Sequence, residues 1–165
     1  MSKYRVPEII LLDAIQKANL PNHVKTNLAA HLPEGEKSVS AWADWLIQHW
    51  KTQSDVYAKH IEQVLAHFGK EVLQLIVERE ELEEKIFDEV WKQIDETYDT
   101  FVSIADLLGA DRFCDFLYKQ LTYSKNNTDS AKEQMKKYGS IEDEIWLSQL
   151  SYHLDEIRRE LQFYC

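Results

Sequence analysis

The chain has 165 residues, 44% of them hydrophobic and 12% aromatic, which excludes a disordered polar chain and is enough for a sizeable core. A net charge of −10 disfavours binding to nucleic acid or to an anionic lipid surface, since both would repel it. The longest aliphatic run, Ile9-Ile10-Leu11-Leu12, is far short of the roughly 20 residues that cross a bilayer, and no basic stretch leads into a long apolar one to mark a secretory leader.

Val6-Pro7 predicts a first helix with proline in its opening turn, ending near Asn19. Asn22 reads as the cap of a short helix to about Leu32, stopped by Pro33, and residues 33–38 read as a polar loop. A third helix starts at Ser38 or Ser40, with Val39, Trp42, Trp45, Leu46 and Trp50 on one face. That face is read as core, although tryptophans also serve as docking anchors.

From Ser54 to Leu108 there is no proline and a single glycine, Gly69. Ile61, Leu65, Phe68, Val72, Leu75, Leu82, Ile86, Val90, Ile94, Tyr98, Phe101, Ala105 and Leu108 recur at steps that suit one helix stripe and no strand. The segment predicts either one very long helix or two helices bent at a weak point. Gly69 is one such point. The other is Glu78 to Glu84, where Leu82 alone keeps the stripe and Glu80 and Glu83 point into it.

Asp111 can cap a helix through Tyr123, Ser124 to Asp129 reads as a loop, and Ala131 to Tyr138 as a short basic helix. Ser140 with Asp143 forms a capping box that starts the last helix. Its seam is Leu147, Leu150, Leu154, Ile157, Leu161 and Tyr164, spaced as in a coiled coil. The expected fold is all-α: a helical bundle (54–165) with one very long, bendable central helix within 54–108, and an appended N-terminal helical subdomain (1–53), the alternative being that the two form one single domain.

Charge is concentrated along this frame. Residues 54–109 hold fourteen acids against five bases, and residues 140–165 six against two. Glu81, Glu84, Asp88, Asp95 and Asp99 fall on one side of the helical wheel, opposite the apolar stripe, with Lys92 in the gap. Carboxylates three and four apart repel by a few tenths of a kcal/mol per pair, and only Glu81–Lys85, Asp88–Lys92 and Glu89–Lys92 offer helix pairs in return. These five acids are the candidate partner-binding residues. A solvated face that keeps the protein soluble would show the same pattern.

Other chemistry is thin. His67 and Glu71, at i and i+4, could share a metal only with further ligands from another helix, and His60 stands too far along the axis to join them. No glycine-rich phosphate loop, nucleophile elbow, Cys-x-x-Cys or His-Glu-x-x-His occurs, so no catalytic residue and no cofactor is expected. Cys114 and Cys165 make no framework, and reduced thiols in a cytoplasmic protein are the expectation.

The sequence therefore reads as a non-catalytic acidic helical protein, an inhibitor, adaptor or immunity-type factor. The expected partner is a basic protein, of the kind that otherwise binds nucleic acid, with no direct nucleic acid and no membrane. The alternatives are a homodimeric helical scaffold, a DNA mimic and a metal-dependent helical enzyme.

Overall fold

A computed structural model describes residues 3–53, 58–101 and 110–165, and these are helical almost throughout. Val6–Pro7 (β1) and Glu36–Lys37 (β2) form a two-residue antiparallel ladder, Val6 opposite Lys37 and Pro7 opposite Glu36. Among the described residues seven helices accompany it: α1 (Glu8–Lys17), α2 (Asn22–His31), α3 (Val39–Gln53), α4 (Ala58–Arg79), α5 (Glu84–Phe101), α6 (Ala110–Tyr138) and α7 (Ile141–Tyr164). The expected all-α class holds.

The N-terminal helices begin and end slightly differently from expectation. Pro7 is the residue before α1 rather than its first, because the extended backbone it favours is used in the ladder (φ −72°, ψ 155°). The Glu8 amide donates to the Gly35 carbonyl (3.0 Å), and the Gly35 amide returns a bond to Glu8 Oε1 (3.2 Å). Gly35 closes this loop at φ +103°, where a side chain would be strained. Pro21 rather than Asn22 caps α2: its carbonyl accepts from Val24 and Lys25. Ser38 caps α3 through a bond from the Ala41 amide to its Oγ (3.1 Å).

The long apolar segment is two helices, not one rod. α4 stops at Arg79 and α5 starts at Glu84, with Glu81 between them at φ +52°. Glutamate there has no conformational advantage, so the break follows from the lack of alternatives: continuing the helix would stack Glu80, Glu81, Glu83 and Glu84 while burying acids in the stripe. Gly69, the other candidate, lies buried inside α4. Its lost helix propensity, about 1 kcal/mol, is offset by the packed stripe on either side. Of that stripe, Ile61, Leu65, Phe68, Val72, Val90, Ile94 and Tyr98 are buried. Ala105 and Leu108 lie outside the described residues, as do the side chains of Phe101 and Trp50.

The predicted loop at Ser124–Asp129 is wrong. α6 runs through it without interruption. Ser124 and Thr128 are buried, and each polar group is satisfied without leaving the helix form. The Thr128 hydroxyl donates to the Ser124 carbonyl (3.0 Å), Ser124 Oγ meets Thr97 Oγ1 of α5, and Lys125 pairs with Asp129 (2.8 Å). Residues that favour turns in isolation are here held helical by a neighbour that needs their hydroxyls. The short basic helix predicted after the loop is the end of α6.

The described chain divides into two compact units. The first takes the described residues of 1–73, 102–117 and 163–165. Its core includes Val6, Leu11, Ile15, Leu28, Trp42, Leu46, Leu65 and Phe68, with Phe68 stacked on Phe113 at 5.6 Å. Cys114 and Cys165 are joined as a disulfide in this unit (Cα–Cα 6.2 Å), which corrects the expectation of two free thiols. Nothing in their sequence spacing announced the pair; only the fold brings α6 and the end of α7 together.

The second unit takes 74–101 and 118–162. Leu150, Leu154, Ile157 and Leu161 of the last seam are buried in it, and the capping box forms, with the Asp143 amide donating to Ser140 Oγ (3.2 Å). Gln120 of α6 donates to the Ile94 carbonyl (3.3 Å) and to Thr97 Oγ1 (2.7 Å) of α5, and Ser151 of α7 donates to Asp129 of α6. Both contacts put buried polar groups where hydrogen bonds define which helix faces meet.

Candidate functional site

The acidic side of α5 begins at the turn that ends α4. Glu81 is exposed in that turn rather than on a helix, so it starts the row instead of belonging to it. Glu84 is the first residue of α5, where the helix dipole favours a carboxylate. Glu84 and Asp88 are exposed one turn apart, and Asp95 follows two turns on, half-buried. Asp99 lies in the last turn of α5, where no side chain is described.

The expected helix pairs are not made. Among the described residues, neither Lys85 nor Lys92 forms an ion pair with Glu81, Asp88 or Glu89. Lys85 instead places its Nζ over the Trp146 ring of α7, 5.1 Å from the centroid. A cation–π contact of this kind gains about 0.5–1 kcal/mol at an exposed site. Its consequence is geometric: the start of the acidic row and the first half of α7 share one end of the second unit.

The basic side chains of that unit are mostly engaged elsewhere. Arg158 and Arg159 both bind Asp155 (2.6 and 2.7 Å), and Lys136 reaches Glu133 and Glu144 (3.5 and 4.0 Å). Burial raises the Asp129 carboxyl, but hydrogen bonds from Lys125 and Ser151 outweigh it and hold the group below its ordinary value.

Five of the six histidines lie in the first unit. Glu71 is held by Lys17 of α1, which leaves the carboxylate neutralised by an ammonium beside His67. Burial, then Lys70 and Lys17, push His67 below its ordinary 6.5, against the opposing pull of Glu71. Such a cationic setting is poor for a metal ion, and among the described residues no group of three or more His, Cys, Asp or Glu side chains is placed to hold one. His49 stacks on Trp45 at 5.0 Å and lies 5.3 Å from His31, whose Nδ1–H donates to the Asn27 carbonyl (2.8 Å). Burial first, and the charge of His31 second, lower His49 as well.

A pH dependence follows. Both folded values lie below 6.5, so the unfolded chain binds more protons in the window beneath it. The stability contribution of these histidines is complete above that value and is lost as pH falls through the folded values. Thermal melts from about pH 7.5 to about pH 5.5 should show a falling midpoint. His49→Gln with His67→Gln should flatten the slope, and an unchanged slope would remove the assignment.

Sequence reasoning missed a further surface. Tyr138 at the end of α6 and Ile141, Ile145 and Tyr152 on α7 are exposed. The spacing of the last three was visible, but it ran beside the stronger seam of leucines and gave no sign of which side would be covered. The chain matches no protein-family model, no curated protein and no solved structure, so a functional reading has to stand on these residues.

Proposed function

We propose that this is a non-catalytic binding protein, of the inhibitor, adaptor or immunity type, which docks a basic protein on the outward carboxylates of α5. The observation that carries the reading is that Glu84 and Asp88 are exposed on one side of α5 and are not neutralised by the lysines next to them. A helix face meant only to be solvated gains by pairing Asp88 with Lys92; here the cation is left aside and the negative potential is kept. Glu81 and Asp95 extend the row at either end, and Asp99 continues it in sequence.

Such a surface steers association and sets specificity more than it adds net affinity. Capture on the immobilised protein, from an extract of its native host, should retain a basic protein that elutes as salt rises from about 0.05 to about 0.5 M. Glu84→Lys with Asp88→Lys and Asp95→Lys should weaken that complex about a hundredfold, or roughly 2.8 kcal/mol. Helix content should stay unchanged. Retention that ignores both salt and the triple reversal would show that the row is only a solvated face.

A further inference from the structure

α7 carries two apolar sides. The inner one is the buried seam of Leu150, Leu154, Ile157 and Leu161. The outer one consists of Ile141, Ile145 and Tyr152 at i, i+4 and i+11, which fall on one line of the helix. These three are 75%, 54% and 61% exposed, and Tyr138, just before the turn into α7, is 88% exposed. Scattered exposed apolar residues need no explanation, but a row along one helix line, rimmed by polar groups, marks an interaction surface.

The rim decides what can cover it. From Ile141 to Glu156, α7 holds five acids (Glu142, Asp143, Glu144, Asp155 and Glu156) and no lysine or arginine. The cations near this stretch are Lys85, over the Trp146 ring, Lys136, bound to Glu133 and Glu144, Arg158 and Arg159, both bound to Asp155, and Lys137. A second copy presenting this same side would set Glu142 and Glu156 against acids of their own kind, while Lys136, Arg158 and Arg159 are already held by Glu144 and Asp155. The Lys85–Trp146 contact links the strip to Glu84 and Asp88, so the acidic surroundings continue onto α5.

We propose that the Ile141–Tyr152 side of α7 seats a basic amphipathic helix. Its apolar side chains would pack on Tyr138, Ile141, Ile145 and Tyr152, and its lysines and arginines would face Glu142, Glu84 and Asp88. The inference rests on the acidic-face reading and adds the kind of partner element that fits. An apolar strip supplies the contact area that holds a complex together, whereas the charges mainly speed its formation.

The test uses two labelled synthetic helices of about 18 residues, or five turns. One is a leucine–lysine peptide patterned as an amphipathic helix; the other keeps the lysines and replaces every leucine by serine. Fluorescence anisotropy at about 0.1 M salt should show the leucine–lysine peptide binding at least about tenfold tighter. Ile141→Ser with Ile145→Ser should abolish that advantage and leave the serine peptide unaffected. Tyr152→Ser gives an independent check on a side chain whose loss opens no core.

Equal binding of the two peptides, or a leucine advantage that survives both sets of substitutions, overturns the proposal. If the serine peptide is still lost on reversing Glu84, Asp88 and Asp95, the acidic-face reading stands without it. Failure of both peptides to bind overturns both. A sedimenting dimer that the two serine substitutions dissociate would make the occupant a second copy and overturn the proposal as well.

Discussion

Replacing Trp42 with alanine should lower the unfolding free energy by about 3–5 kcal/mol, the range for deleting a large buried aromatic side chain. Trp42 is fully buried in the first unit, and its indole Nε1–H donates to the Val6 carbonyl (2.7 Å). That bond ties α3 to β1 across 36 residues of chain. Alanine therefore leaves a cavity and also takes the indole donor away from the Val6 carbonyl, a hydrogen bond of about 0.5–1.5 kcal/mol. Total stabilities of about 5–15 kcal/mol make this a large fraction of what holds the fold. Trp42→Phe keeps most of the ring volume and loses the donor, so it should fall between the wild type and alanine. Guanidinium unfolding followed by circular dichroism separates the three; a loss under about 1 kcal/mol for alanine would mean that Trp42 is not in the core.

The second large effect belongs to the Cys114–Cys165 bond. In the chain-entropy view, loops of about 15 and about 100 residues give about 3 and 4.7 kcal/mol, which brackets the separation of 51 found here at about 4 kcal/mol. The bond ties the end of α7 to α6 beside Ser40, whose hydroxyl lies 3.1 Å from the Cys114 sulfur. Tyr164, next to Cys165, is buried and meets Tyr4 edge-on at 5.4 Å, so release of Cys165 would loosen an aromatic contact as well. Dithiothreitol should lower the thermal midpoint by about 2–4 °C for each kcal/mol lost. Cys114→Ser with Cys165→Ser should start at the lower midpoint and ignore the reductant. Two titratable thiols in the oxidised native protein would show that the bond is not formed.

How far the fold could be read from residues alone varies with the physics of each element. The seam of α7 and its Ser140 cap were legible because period and cap chemistry are local, and burial then followed the pattern. The break between α4 and α5 was legible too, since a run of like charges and a single leucine weaken one helix turn wherever it is placed. Ser124 to Asp129 misled for the opposite reason: serine, asparagine, threonine and aspartate favour turns until another helix takes their hydrogen bonds, and Thr97 and Ser151 do so here. The one-residue shift at Pro7 likewise came from a strand partner distant in the chain, at Lys37 and Glu36.

The candidate site divides in the same way. Acids at steps of three and four could be counted from the chain, and so could the lysines beside them. Whether a lysine pairs within its helix or turns to a ring on another could not, because the two choices differ by well under about 1 kcal/mol until Trp146 is in place. What the amino-acid order determined by itself was helicity, the inward stripe and the uneven charge, all set by interactions within a few residues. Tertiary structure alone decided the disulfide, the unbroken α6 and the uncovered outer row of α7. Each depends on which groups, distant in the chain, come to lie against one another.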